Sequence, residues 1–140
     1  EFKRYTSNYD MSIKEISLKY HHSFTVMDLM GELAFRLDLD KEKIEVARVI
    51  GLLHDIGRFE QFIKYGVLSD SVSNHADESV VYLFDQGHIR DFIDDDKYDE
   101  INYGFIKLSR MTWYQHPIYK SIGCVEIESP RHVCRIAYYL

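Results

Sequence analysis

The chain is poor in the residues that mark several protein classes. Its two cysteines, Cys124 and Cys134, are too few and too far apart for a zinc knuckle, a redox pair or a disulfide framework, and read as free thiols. Two prolines leave little to interrupt helices, and no internal repeat or low-complexity tract occurs. No apolar run reaches the roughly 18 residues that a membrane span requires. The N-terminus lacks a basic segment followed by an apolar one, so no signal peptide is indicated and the cytoplasm is the expected location. Residue 1 is Glu and the first methionine is Met11, as expected of a trimmed or partly processed chain. Basic excess is also missing. The formal net charge is −6, with the acids gathered in residues 1–100 and a basic surplus in 101–140. Such an acidic body argues against binding nucleic-acid polymers.

What the chain does have is apolar content, 46% of 140 residues, enough for one soluble domain with a sizeable core. Apolar residues recur at helical spacing. A short helix is expected near 12–20. A second over 22–37 carries the stripe Val26, Leu29, Met30, Leu33, Ala34 and Leu37. Asp40 is a suitable N-cap for a third over 41–55, with Ile44, Ala47, Ile50, Gly51 and Leu53 inward. A short segment, 59–65, leads into a small-residue loop over 66–73, long enough to move over a site. Asn74 then caps a helix over 74–85 with Ala76, Val80, Leu83 and Phe84 inward. A further helix is expected over 97–110, with Tyr98, Ile101, Phe105 and Leu108 inward. Asp94-Asp95-Asp96 reads as a solvated turn. Beyond it, residues 125–128 alternate like a strand and only 130–140 reads as helix. The fold class expected is therefore all-α, with an irregular C-terminal segment.

The stretch Gly51-Leu52-Leu53-His54-Asp55-Ile56-Gly57-Arg58 puts an imidazole and a carboxylate at the end of an apolar helix face. Gly57 stands where a helix commonly ends. A buried carboxylate needs compensation, and two readings stay open: a metal cation, or a capping aspartate beside a hydrogen-bonded histidine. His22 lies four residues before Val26 and so faces inward, whereas His21 falls off the stripe. His22 is either a ligand or a core histidine satisfied by a carbonyl. His75, at the first turn of its helix, is either a ligand or an exposed histidine. Arg58 could hold a phosphate through its planar fork or form a surface salt bridge.

Taken together, His22-Ser23-Phe24-Thr25-Val26, Leu52-Leu53-His54-Asp55-Ile56-Gly57-Arg58 and Asn74-His75-Ala76 resemble the HD-domain superfamily of metal-dependent phosphohydrolases, whose motif is H…HD…D. The resemblance spans about residues 12–100. It implies a single all-α HD-type bundle over 1–140, with 101–140 a divergent or incomplete end. It also implies His22, His54 and Asp55 as ligands of a divalent ion: Mn, Fe, Co, Ni, Zn or Mg. In binuclear relatives the aspartate bridges two ions and later histidines hold the second. His75 matches that role, and His116 is a weaker match. Asp55 and Arg58 are then the catalytic candidates. The substrate implied is a small phosphate ester, possibly of a nucleotide, attacked by a metal-activated water. A homo-oligomer stays open. One element departs from the pattern: no Asp occurs after Asp99, so the closing aspartate has no counterpart, and Glu126 and Glu128 lie in the strand-like stretch. The alternative function is a noncatalytic HD-type domain serving binding or regulation. A di-iron oxygenase on the same scaffold is a third and smaller reading.

Overall fold

The computed structural model describes residues 1–99 and 101–102. Every regular element among them is helical: α1 (Phe2–Thr6), α2 (Lys14–Arg36), α3 (Lys41–Leu53), α4 (Ile56–Tyr65) and α5 (His75–Val80). The chain of α5 continues as a π-helical turn, Val81–Asp85, and two 3-10 turns follow, His88–Asp91 and Asp95–Lys97. The all-α expectation holds. The expectations for the remainder of 97–110, for 125–128, for 130–140 and for His116 lie outside the described residues.

The two helices expected over 12–20 and 22–37 are one. Between Tyr20 and Ser23 there is no glycine or proline to break the hydrogen-bond ladder, so α2 runs unbroken through both. Its buried face is Ile16, Ser23, Val26, Met30 and Ala34. Leu29 and Leu37, counted into the stripe on spacing, are exposed instead, because they flank the face rather than sit on it. The helix ends in a Schellman turn. Leu39 N–H donates to Ala34 O at 3.2 Å, and Asp38 takes a left-handed φ of 56°, a conformation Asp tolerates better than most residues. Asp40 caps α3 by accepting from Lys43 N–H at 2.9 Å, as its position predicts.

α2 and α3 run antiparallel and touch closely. A Cβ on Gly51 would stand 3.0 Å from Val26 O and 3.1 Å from Met27 Cα. The pair buries Val26, Met30, Val46, Ala47, Ile50 and Leu53, and α4 adds Ile56 and Phe59 to the same core. The short α1, not expected from the sequence, closes one side with Phe2, whose ring meets Phe24 and Phe59 edge-on. Tyr5 and Tyr9 then tie the N-terminal segment to α4, each donating to Glu60 Oε1, at 3.0 and 3.1 Å.

Candidate metal centre

The helix expected to run to residue 55 stops two residues earlier. His54 keeps helical angles as the C-cap of α3, but Asp55 turns to φ −107°, ψ 15°, and α4 starts at Ile56. Gly57 is therefore not a helix terminator; it lies in the first turn of α4. Its missing Cβ serves a different need. A methyl there would meet His75 O and Ser79 N, both at 2.4 Å, so α4 and α5 can cross at this distance only over glycine. The crossing is fastened by Ser79, whose Oγ accepts from Gly57 N–H at 2.9 Å.

This break sets the Asp55 carboxylate inside the bundle, 3% exposed. Four side chains from three helices face it. On Oδ1 stand His54 Nε2 at 3.5 Å and His75 Nε2 at 3.4 Å. On Oδ2 stand Lys19 Nζ at 2.8 Å and His22 Nε2 at 3.7 Å. His22, His54 and Asp55 each offer a ligand atom within 4.8 Å of the others. His22, expected inward, sits at the rim and is partly exposed, while His21 is exposed, as expected. His75 reaches the same carboxylate from α5.

Hydrogen bonds fix which nitrogen of each ring faces the carboxylate. His54 Nδ1 lies 2.7 Å from Gly51 O, and a carbonyl only accepts, so Nδ1 carries the proton. In the neutral ring Nε2 then bears the lone pair. Likewise His75 Nδ1 is held at 2.6 Å by Asp70 Oδ1, the carboxylate–imidazole arrangement that orients metal-ligating histidines. Burial pushes the Asp55 carboxyl up, but His54, Lys19 and His75 together outweigh it and hold Asp55 well below the usual carboxylate range. His22 is lowered, by burial first and then by His54 and Lys19, with Asp55 opposing, so it is neutral and able to ligate at pH 7.

Whether a cation fits can be read from the donor set. Asp55 Oδ1 is buried and has no hydrogen-bond donor among the described residues. A buried anionic oxygen without a donor is costly, and the Lys19 ammonium is bonded to the other oxygen. A divalent ion relieves that cost, and two imidazoles with one carboxylate suit the borderline transition metals.

Arg58 occupies a different position from the other candidates. Its Nη1 bonds Asp70 Oδ1 at 2.9 Å and Gln61 Oε1 at 2.8 Å, and its side chain is 12% exposed. It is thus not an open surface salt bridge. The same Asp70 oxygen serves Arg58 and His75, and both hold its carboxyl below the ordinary value against the effect of burial. Gln61, fully buried, donates to Ser69 O at 2.9 Å and Ser73 O at 2.6 Å, pinning the 66–73 loop that carries Asp70.

Three of these residues escape a search for apolar periodicity. Lys19 was detectable in principle, since it stands three residues after Ile16 and four before Ser23 on the inward face of α2, where a charge needs a reason. Ser79 likewise falls four residues from both His75 and Leu83. Asp70 carries no local signal, because its role depends on how the loop folds back.

The comparison with protein families decides the relationship. The HD domain model matches residues 20–110, most of the chain. The chain belongs to the HD domain family. Its His22 and His54-Asp55 lie together on an all-α scaffold, and the family is one of metal-dependent phosphohydrolases. HD domains bind divalent metals, and the His22, His54 and Asp55 cluster could hold one. Searches of curated proteins and of solved structures found no match. None of the described helices is long and apolar enough to cross a membrane.

Proposed function

We propose that the chain is a metal-dependent phosphohydrolase that cleaves a small phosphate ester, with a nucleotide as the leading substrate class. The observation carrying this reading is the convergence of three imidazoles on the buried Asp55 carboxylate, His22 on Oδ2 and His54 and His75 on Oδ1, an oxygen that no donor among the described residues satisfies, in a member of the HD domain family. In this reading His22, His54 and Asp55 would hold the ion, and His75 would serve a second one. A divalent ion bound there supplies a water of lowered pKa and neutralises phosphoryl oxygens. The chain's own groups do the rest. Gly51 O and Asp70 keep the two ring tautomers that present Nε2. Arg58 is assigned to a substrate phosphate, which would take the place of Asp70, now held through Nη1 alone, and could engage the planar fork at two points.

The test is hydrolysis of nucleoside monophosphates, cyclic nucleotides and p-nitrophenyl esters with added Mn, Co, Ni or Mg, against His54→Ala. Metal-dependent hydrolysis above that control is expected, read as free phosphate from monoesters and as nucleoside monophosphate from cyclic nucleotides. A second reading, a noncatalytic domain that binds metal or ligand for regulation, is favoured by the lack of an Asp within residues 101–140. It is the conclusion if metal binds and none of the esters is turned over.

A further inference from the structure

We propose that Lys19 is an internal counter-ion on Oδ2, the Asp55 oxygen that faces His22, and that it is released toward substrate phosphate when a divalent ion draws on that oxygen. This rests on the metal-centre reading above. Lys19 Nζ lies 2.8 Å from Asp55 Oδ2, the same oxygen that His22 Nε2 approaches to 3.7 Å. An ion that draws on both His22 Nε2 and Asp55 Oδ2 would compete with the ammonium already bonded to that oxygen.

Charge at the site leads to the same result. Two pairs of charged groups stand there, Lys19 with Asp55 and Arg58 with Asp70. That pairing is balanced by the chain's own cations. A divalent ion on Asp55 unbalances it, leaving the ion and Lys19 as like charges a few ångströms apart. Two things relieve that repulsion: outward motion of Lys19, and an anion shared by both cations. The lysine can move, since it is partly exposed and its four-carbon stem lets the ammonium reach water while the stem stays against the helix. A phosphate is an anion of suitable charge and reach. Metal and phosphate should then strengthen each other's binding by equal factors, with Lys19 carrying much of that coupling. Lys19 is a positioning residue in this scheme, since it acts through the ion and the carboxylate.

The experiment is titration of Mn2+ by electron paramagnetic resonance of the free ion, with and without inorganic phosphate, on wild type, Lys19→Met, Lys19→Gln and Asp55→Ala. Wild type should bind Mn2+ more tightly when phosphate is present. Lys19→Met should bind Mn2+ alone at least about tenfold more tightly than wild type, the scale of one hydrogen bond to a charged group removed from competition. Its gain from phosphate should shrink. Lys19→Gln keeps a donor for Asp55 without the charge, so it guards against loss of fold and should fall between the two. Equal or weaker Mn2+ binding in both lysine variants than in wild type overturns the counter-ion proposal while leaving the metal centre intact. Absence of Mn2+ binding in wild type and in both folded variants overturns the metal centre and the proposal with it.

Discussion

His75 Nε2 stands 3.4 Å from Asp55 Oδ1, yet nothing within α5 itself directs it there. The contact depends on the crossing at Gly57 and on Ser79, whose hydroxyl lies 2.9 Å from His75 O and 3.2 Å from His54 O and gives its proton to one of them at a time. One small residue and one hydroxyl thus set the distance between the two halves of the centre.

Gly57→Ala tests this relationship. Helix propensity alone would make the change favourable by up to about 1 kcal/mol. The added methyl would meet backbone at 2.4 Å, which cannot rotate away. A net loss of about 1–3 kcal/mol in urea unfolding is expected, together with weaker metal retention. An alanine variant as stable as wild type would show that the helices do not need this approach.

Metal content should follow the carboxylate. About one divalent ion per chain is expected by elemental analysis of purified protein, and both His54→Ala and Asp55→Ala should lose it. Circular dichroism on the same samples separates loss of ligand from loss of fold. Variants that keep the metal content of the parent would remove His54 and Asp55 from the site.

The 66–73 loop was expected to move over the site, but the buried amide of Gln61 ties it down at two carbonyls. Gln61→Met keeps the bulk and strips both carbonyls of their donor, so stability should fall by about 1–3 kcal/mol. Hydrogen exchange should quicken over residues 66–74 more than over α2 and α3. Uniform exchange across the chain would mean that Gln61 supports the core and not the loop.

Alkaline pH should loosen the N-terminal segment. Tyr5 and Tyr9 have phenols raised well above their ordinary value, by burial foremost, and Tyr82 is pushed up to about 12 for the same reason, with Glu60 adding to it. A raised folded-state pKa favours the protonated form, so the contribution is complete below the ordinary tyrosine pKa near 10 and is lost as pH rises beyond it. The melting temperature should be level from pH 8 to about 9.5 and fall above 10. Tyr5→Phe combined with Tyr9→Phe should flatten that fall. An unchanged alkaline slope in the double variant would assign the loss to other groups.

Much of the architecture is readable before any coordinates, because helix periodicity and caps are local. Asp40 and Asn74 cap the helices predicted from their positions, and the stripes through Val26, Met30 and Ala34 and through Ala47, Ile50 and Leu53 are buried. The histidines and the aspartate were also legible, since an imidazole on an apolar face and a carboxylate at its end both require compensation. Helix ends were less so. The break at Asp55 and the merging of two expected helices into α2 are settled by packing across elements, not by propensity.

Sequence alone thus determined the helical class and the caps, because those follow from spacing along one chain, and it marked His54 and Asp55 as a polar pair at the end of an apolar face; His22 and His75 became ligand candidates through the family resemblance. Only the tertiary structure decided that Lys19 holds the opposite oxygen of Asp55, that Asp70 is shared by His75 and Arg58, and that Gly57 permits a helix crossing. Each of these is a distance between segments remote in sequence, and such distances are fixed by which surfaces can approach one another, a property no single segment carries.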